Sequence, residues 1–560
     1  MQLSDRQRLS YLYLREGWRR FSRRLALGRI SAMRFSGGTP DRLIVAPTDL
    51  HPADSFAGEE ITAGRFPLAG RILECEGESP FALELPSEEF AGRLHSFGWL
   101  RHMRLVDPDR AALTSRFIVD DWLQSHGRVI GGLAWRPDVT AKRIIAWLSH
   151  SPVVLKDADY PFYRRFLKSL AFQVRYLRHV ADTTRDGEQR LRVRIALAMA
   201  SIAMPASPSK MRKAARHLGE ELDRQILPDG GHCSRNPRAA LDLLLDLLPL
   251  RQTYVNLGHD MPAQLIACID RIYPALRFFR HQGGELALFN GATYTMATEL
   301  MSALRYDETG GAPFKALPSI NYDRLAVQET VVLMDTGLQK SVDLSSTASS
   351  GTLSIEMSSG KNRFIVNSGR PRFAGEAMRQ MSRMTAAHSV ATLNDTSSSR
   401  ISTSRFLGPI IIGGVSKVDV SRIERESGAD GVTAIHDGYL KRFGLLYERD
   451  IHVAASGSEI RGREHFYRPG NPDGPVDQGT AVVRFHIHPA IQLYRVSANE
   501  TRLVASDGEA WALTCLDVSV EEEEDVFFAD PSGVRASRQL TLTMRLAEMP
   551  EVQWLLARQR

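Results

Sequence analysis

Cysteine is scarce in this sequence, and its few cysteines are far apart. The 560 residues contain four, Cys75, Cys233, Cys268 and Cys515, and no Cys-x-x-Cys pair. Neither a disulfide framework nor a cysteine zinc site is therefore expected, and we expect free thiols. A nucleophilic role for Cys233 would require an activating partner.

Long apolar runs are also missing. No segment approaches the ~20 apolar residues that a membrane-spanning helix needs, so we expect no integral membrane span. Residues 1–35 are rich in arginine but lack the apolar core of roughly 7–15 residues that marks a secretory signal. We predict a basic amphipathic helix there, with its basic face in solvent or in weak contact with a membrane surface.

The charge is mildly unbalanced toward the basic side. The formal net charge is +6, and the sequence isoelectric point is near 9.1. This excess favours an anionic partner, although a merely soluble basic protein fits it as well. The basic residues are spread along the chain and form no recognisable nucleic-acid module. We therefore expect no nucleic-acid partner.

The hydrophobic pattern changes once along the chain. A chain of 560 residues exceeds a single core and should form several domains. Residues 36–92 are predicted to be an irregular lead-in with short strands such as Arg71–Glu74. Residues 93–320 have a helical period, as in Leu241, Leu244 and Leu245, and are broken by Pro- and Gly-rich turns. Residues 321–560 alternate with period two, which predicts many short antiparallel strands. The fold class is α+β and multidomain, with helices first and strands after them.

The segment Asp229–Pro237 contains the most concentrated polar chemistry of the helical region. Gly230 and Gly231 allow a chain reversal, and Asn236 followed by Pro237 is typical of a helix N-cap. His232 and Arg235 have no comparable local role. Histidine can act as an acid or a base near neutral pH, and arginine can bind a carboxylate through two hydrogen bonds.

Other polar or aromatic positions are weaker candidates. His388 is predicted to start an apolar strand, where a lone histidine is more often structural. Trp135, near Arg143, could stack on a sugar ring. His486 and His488 would share one sheet face and could bind a structural zinc ion, but no third ligand is identifiable by spacing.

Several segments together resemble the heparinase II/III-like family of polysaccharide lyases. They are Pro228–Pro237, Phe289-Asn290-Gly291, Arg383–Val390, His436–Tyr439 and Ala529–Arg535. The resemblance runs over most of the chain. It implies an N-terminal α/α toroid, an incomplete helical barrel, followed by a C-terminal antiparallel β-sandwich. It also implies a place in the cell envelope, while the lack of a visible signal peptide leaves the cytoplasm open.

The resemblance implies a lyase that cleaves an acidic, uronate-containing polysaccharide by β-elimination. In that reaction a polar group neutralises the C5 carboxylate, a base removes the C5 proton and an acid protonates the leaving oxygen. No cofactor and no catalytic metal are implied. The implied catalytic residues are His232, Arg235 and Asn236 for neutralisation, His388 as base or acid, and Tyr294 by location only. The implied substrate-binding residues are Trp135, Arg143, Asn290 and Arg383.

Two departures from the family pattern leave other functions open. The acid and the Tyr-His pair that often follow the Asp-Gly-Gly-His motif are missing, and Ser389 follows His388 where asparagine is common. The alternative is a non-catalytic glycan-binding or envelope-polysaccharide assembly protein on the same fold. An inverting glycosidase would need two acids ~6.5–9.5 Å apart, and the segment offers only Asp229.

Overall fold

The computed structural model describes residues 5–26, 35–127, 129–339, 341–424, 428–476 and 479–559. It has a helical N-terminal part and a C-terminal part of antiparallel sheets. The predicted fold class is confirmed, whereas the exact division into four ranges stays a prediction. The helices are α1 Asp5–Ala26, α2 Ser55–Thr62, α3 Glu88–Ser96, α4 Pro108–Ser125, α5 Pro137–Ser149, α6 Ser151–Val154, α7 Tyr160–Val180, α8 Glu188–Ala203, α9 Pro208–Gln225, α10 Pro237–Leu257, α11 Ala263–Phe279, α12 Ala297–Leu304, α13 Glu376–Met381 and α14 Leu440–Phe443.

Helix α10 shows how the local sequence sets these elements. The side chain of Asn236 accepts a hydrogen bond from the backbone N–H of Arg238, and Pro237 occupies the first turn. The helix ends at Gly258, which adopts φ 63° as a left-handed C-cap. Its leucines are buried in the core that the helices share. Capping and periodicity therefore determine α10 as the sequence predicts.

The lead-in before residue 93 contains more regular structure than its composition suggests. Strand β2 covers Arg71–Glu74 as predicted, and it pairs with β1, Arg65–Leu68. Helix α2 was not predicted, because its eight residues are too few for a clear period. Asp54 caps it by accepting the N–H of Phe56.

The strands form two large antiparallel sheets. An eight-stranded sheet has the order β11-β12-β13-β14-β21-β18-β17-β16, and a nine-stranded sheet has the order β19-β20-β15-β7-β6-β5-β4-β3, with β8 beside β15. The strands are β3 Ala316–Leu317, β4 Tyr322–Val327, β5 Thr330–Asp335, β6 Ile355–Ser359, β7 Asn362–Val366, β8 Ala391–Leu393, β9 Ser399–Ile401, β10 Ile411–Gly414, β11 Val418–Glu424, β12 Asp430–His436, β13 Leu446–Val453, β14 Glu459–Tyr467, β15 Thr480–Ile487, β16 Gln492–Arg495, β17 Glu500–Val504, β18 Ala510–Thr514, β19 Glu521–Asp530, β20 Gly533–Arg545 and β21 Glu551–Gln559.

The two sheets bury a common apolar core. Strand β13 alternates between buried and half-buried residues, as a strand with one face in a core should. Buried side chains from both sheets belong to one hydrophobic cluster, which includes Phe485 and Trp554. Strand β19 lies at a sheet edge and exposes Glu521–Glu524 there, which suits an edge that must stay unpaired.

Helix α1 packs against the strand part rather than within the helical core. Leu12 is buried beside Leu407 and Ile410, while Trp18 and Phe21 are exposed. None of the described helices is both long and apolar enough to cross a membrane.

Candidate functional site

A deep cleft of about 820 Å³ opens between the helical part and the loops of the strand part. Helices α3, α5, α8 and α10 form most of its helical wall. Thr347 and the segment around Arg370 and Arg372 supply the opposite wall. The cleft therefore lies at the junction of the two parts, where ligand sites frequently occur.

Charged side chains dominate the lining of the cleft. Nine of the lining residues are Arg or Lys, and nine are Asp or Glu, so the formal charges cancel. The charge of the ligand that the cleft attracts therefore depends on which of these side chains are left without an ion-pair partner.

Most of these charges neutralise one another. Arg192 on α8 binds Asp246 on α10 at 2.9 Å, and Arg238 binds Asp242 at 3.2 Å and Glu299 at 2.8 Å. Burial favours the protonated form of Asp242, but the neighbouring Arg238 and Arg192 lower its pKa below the usual value. These ion pairs form a connected network across the helical wall.

Three cations of the lining lack such partners. Within the described part of the chain, the charged ends of Lys142, Arg370 and Arg372 make no hydrogen bond or ion pair. Desolvation within the cleft, and then the charge of Arg192, lower the pKa of Lys142. Desolvation also lowers the pKa values of Arg370 and Arg372, with neighbouring arginines adding to it. A bound anion would relieve each of these penalties.

Glu188, at the first position of α8, is the least neutralised acid of the helical wall. It makes no ion pair or hydrogen bond to a described residue. Burial and the nearby charge of Asp242 raise its pKa. The charges of Arg192, Lys142 and Arg370 act against this rise.

Asn236 is the predicted catalytic residue that lines this cleft. Its side-chain oxygen accepts the N–H of Arg238 at 2.9 Å, so the capping role is confirmed. The amide NH₂ makes no hydrogen bond to a described residue and remains able to donate to a ligand.

His232 does not reach the cleft. It is 2% exposed, and its ring lies 2.7 Å from Ser234 Oγ and 2.8 Å from Gln225 Oε1. Burial lowers the pKa of His232 to about 4. The expected neutralising role has no support in this geometry, because both ring nitrogens are engaged within the fold.

Arg235 and Asn290 are joined by an acid that the sequence did not single out, Asp335. Arg235 forms a buried ion pair with Asp335 and donates to the carbonyl of Ile320 at 2.7 Å. Asn290 donates to the second oxygen of Asp335 at 2.8 Å and to the hydroxyl of Tyr322. The carboxylate that Arg235 binds is thus the protein's own. The structure brings both predicted residues together, but their contacts with Asp335 connect the helical part of the chain to the strand part.

Arg383 and His388 also meet around one buried segment, residues 345–351. Arg383 donates to the carbonyls of Ser345 and Ala348 at 2.7 and 2.6 Å. His388 is 2% exposed, its Nδ1 lies 2.8 Å from Met384 O, and burial lowers its pKa to about 4. His388 follows a 3-10 turn and precedes β8, so the expected strand start is wrong by three residues. Neither side chain lines the cleft.

Trp135 and Arg143 belong to the helical core. Trp135 is 1% exposed and donates from its indole to the carbonyl of His126. Arg143 is fully buried over the ring of Trp122, and its guanidinium binds His95 O and Ala134 O. Neither side chain lines the cleft, so their predicted contact with substrate has no support in this geometry.

Tyr294 is half-buried beside the cleft, next to Thr293 of its lining. Its backbone carbonyl accepts a hydrogen bond from Arg238 at 3.2 Å. The tyrosine itself is not among the lining residues. Its assignment as base or acid stays a prediction.

The two histidines considered for zinc have other partners. His486 Nδ1 lies 2.6 Å from Asp525, and His488 Nε2 lies 3.0 Å from Arg363. In the described ranges, no three His, Cys, Asp or Glu side chains are grouped to hold a metal ion. Burial, with the charge of Asp186 second, raises the pKa of Cys233 to about 12, which leaves it a neutral thiol at pH 7.

The free cations of the cleft were missed by sequence reasoning. Lys142 sits in an ordinary helical stretch beside Arg143, and nothing local shows which of the two faces out. Arg370-Pro371-Arg372 follows Asn367-Ser368-Gly369. Two arginines around a proline in such a loop are a usable signal for a pair of cations that face a cleft.

Comparisons with known proteins agree with this architecture. Residues 309–555 match the family described as Heparinase II/III-like, C-terminal. The "FtsZ-localized protein C" of Caulobacter vibrioides is 29% identical over 462 residues, which are 80% of this chain and 78% of that protein.

Solved structures of heparin-type lyases share the fold. A heparan sulfate lyase HepC mutant from Pedobacter heparinus superposes with a TM-score of 0.62 at 16% identity, covering 91% of this chain and 84% of that one. A heparinase III structure gives a TM-score of 0.68 at 14% identity, covering 94% and 88%. At such identities the likeness establishes the shared toroid and sandwich.

Proposed function

We propose that the interdomain cleft binds an acidic, uronate-containing polysaccharide, since residues 309–555 match the Heparinase II/III-like, C-terminal family. The observation that carries this proposal is a set of three cations that make no hydrogen bond or ion pair with a described residue, Lys142, Arg370 and Arg372. Arginine can hold a carboxylate or a sulfate through two parallel hydrogen bonds. The paired charges around them supply further polar contacts for sugar hydroxyls.

We propose binding without β-elimination as the function that the geometry supports best. Proton abstraction needs a base within hydrogen-bond reach of the sugar, and His232 and His388 are buried elsewhere. The described lining contains two histidines and no tyrosine. His51 donates from Nδ1 to the Asp49 carboxylate at 2.7 Å, which leaves Nε2 as an acceptor. His102 accepts the N–H of Asp54 through Nδ1, which leaves its proton on Nε2. The cleft thus lacks both predicted histidine bases, and His51 is the histidine of its described lining whose Nε2 a lyase would use as a proton acceptor.

A polysaccharide lyase is the second candidate, and Asn236 is the observation that favours it. Asn236 lines the same cleft as the free cations. An amide donor there could neutralise a uronate carboxylate, which is the first requirement of β-elimination. His51, oriented by Asp49, and Tyr294 beside the cleft would be the candidate bases.

One experiment separates these functions. The full-length protein is titrated calorimetrically with alginate, heparan sulfate and chondroitin sulfate, and each mixture is then followed by ultraviolet absorbance for unsaturated uronate. We expect saturable, salt-sensitive binding to one or more glycans and no absorbance change. Accumulating unsaturated product would establish the lyase instead. Absence of binding to all three, and to native exopolysaccharide, would contradict both.

Matched variants locate the binding. The double variant Arg370→Ala, Arg372→Ala should weaken glycan binding by roughly tenfold or more, about 1.4 kcal/mol. The control Arg461→Ala, Arg502→Ala removes two exposed arginines of the strand part that do not line the cleft. Equal losses in both variants would show general charge attraction rather than a site.

The relative from Caulobacter vibrioides is named for its localisation with FtsZ. We propose by analogy that this chain acts on an envelope polysaccharide where FtsZ assembles. A fluorescent fusion that is distributed evenly, with no enrichment at FtsZ, would contradict this placement and leave the binding proposal untouched.

A further inference from the structure

A second cavity, of about 930 Å³, adjoins the cleft beneath helix α1. Arg136 and Asp138 line both spaces. The consecutive residues Glu188 and Gln189 at the start of α8 line the first and the second space, respectively. The two cavities are therefore neighbours that share a wall at the Arg136–Asp138 ion pair. Each has the volume of an ordinary ligand site.

The second cavity has a net positive lining. Of its four arginines, Arg136 is paired with Asp138, whereas Arg19, Arg20 and Arg185 share the single acid Glu16. The formal difference is therefore 4 − 2 = +2. The lining thus favours the same kind of anion as the free cations of the cleft.

Aromatic rings complete the lining on the side of α1. Phe21 and Phe406 both border the cavity, and Phe21 is 52% exposed. An exposed ring beside cations suits a sugar unit, whose C–H face packs on the ring while its acidic group meets the charges.

Helix α1 is fixed in place as a wall of this cavity. Arg15 binds Asp343 at 2.7 Å, and Tyr13 donates to Ser404 Oγ at 2.9 Å. Arg20 donates to the carbonyl of Phe406 at 2.6 Å and lies over its ring. On the helical side, Glu16 lies 3.7 Å from Arg185. The helix thus bridges the two parts of the chain at one end of the cleft.

We propose that the second cavity is a distal subsite for the same acidic glycan, so that a long chain crosses the Arg136–Asp138 pair and ends beneath α1. This inference rests on the proposed binding function. It adds that α1 takes part in recognition and that affinity depends on glycan length, because only a long oligosaccharide can occupy both cavities.

The test is calorimetric binding of heparan sulfate and alginate oligosaccharides, each fractionated by length, to the full-length protein. We expect long fractions to bind about tenfold or more tightly than short ones. Phe21→Ala and Arg185→Ala should remove most of this gain and change the affinity for short fractions by less than about twofold. Tyr11→Ala is the matched control, since Tyr11 is an exposed ring on α1 (56% exposed) that does not border the cavity.

Each outcome has a definite consequence. Short fractions that bind as tightly as long ones, or a length gain that survives both substitutions, would overturn the distal subsite and leave the proposed function standing. Loss of short-fraction binding in the Arg370→Ala, Arg372→Ala variant, together with loss of the length gain in Phe21→Ala, would support both. If no fraction binds, both the function and the subsite are wrong.

Discussion

Replacing Asp335 by asparagine should destabilise the junction between the helical and strand parts. Asp335 forms the ion pair with Arg235 and accepts the amide of Asn290 at 2.8 Å. The charged ends of Arg235 and Asp335 are 4% and 3% exposed. The substitution therefore leaves a guanidinium buried without its counter-charge.

The size of the effect follows from that burial. Burial disfavours the charge of Arg235, and Asp335 raises its pKa above the usual value. Without the acid that support is lost, but the arginine stays ionised because its ordinary pKa lies far above neutral pH. Breaking one side of a buried ion pair costs about 3–5 kcal/mol. The carbonyls of Ile320 and Asn321 still accept from Arg235 at 2.7 and 3.1 Å. We therefore expect the lower end, about 3 kcal/mol.

Differential scanning calorimetry at neutral pH measures this loss. For domains of this size, about 3 kcal/mol corresponds to a fall in Tm of roughly 6–12 °C. The control is Asp419→Asn, which breaks an exposed pair with Lys417 (56% and 71% exposed) and should change stability by less than about 1 kcal/mol. Equal Tm changes in the two variants would refute the conclusion that Asp335 stabilises the junction between the helical and strand parts. Glycan affinity should be unchanged, since Asp335 does not line the cleft.

Three further predictions concern the same region. His232→Ala should lower the Tm, because Gln225 loses a buried partner, but leave glycan affinity unchanged in calorimetry; a selective loss of affinity would restore a role in binding. The free energy of unfolding should fall as the pH drops from about 6.5 to about 4. His232 and His388 have folded-state pKa values of about 4, so the unfolded chain takes up protons at a higher pH than the folded protein does, and each site contributes about 3 kcal/mol. Urea unfolding across this range that shows no loss of stability would contradict their burial. Gly230→Ala should lower the Tm strongly, because the new Cβ would lie 1.8 Å from a backbone oxygen. The control Gly258→Ala has a similar positive φ but open space around the new Cβ, and it should lower the stability by only about 1 kcal/mol. Equal Tm losses in the two variants would exclude the clash.

The order of elements was predictable because its causes are local. The leucine repeat of α10, its Asn236-Pro237 start and the Gly and Pro breaks all act within a few residues. The change of period near residue 321 likewise marks β4, which begins at Tyr322. Helix α2 escaped prediction because two turns give too little periodicity.

The candidate site was far less predictable, because its chemistry depends on distant partners. Arg235 and Asp335 are 100 positions apart, and no local pattern shows that the acid exists. His232 and Arg235 have the residue types of catalysis, but those types also make strong buried fasteners. Asp229 also stabilises the fold, because its side chain accepts hydrogen bonds from the backbone N–H groups of Ser319 and Ile320. The whole segment thus binds the chain where it enters the sheets.

Some residues could both stabilise the fold and bind a ligand, and Arg238 is an example. It lines the cleft, yet it is 9% exposed and binds Asp242, Glu299 and the carbonyl of Tyr294. Removing it would leave two acids without a counter-charge, so a loss of affinity would not distinguish a lost contact from a deformed cleft. Arg370 and Arg372 have no such partners among the residues that the structure describes. A change in affinity on their removal therefore reports on the ligand, and the binding proposal rests on them.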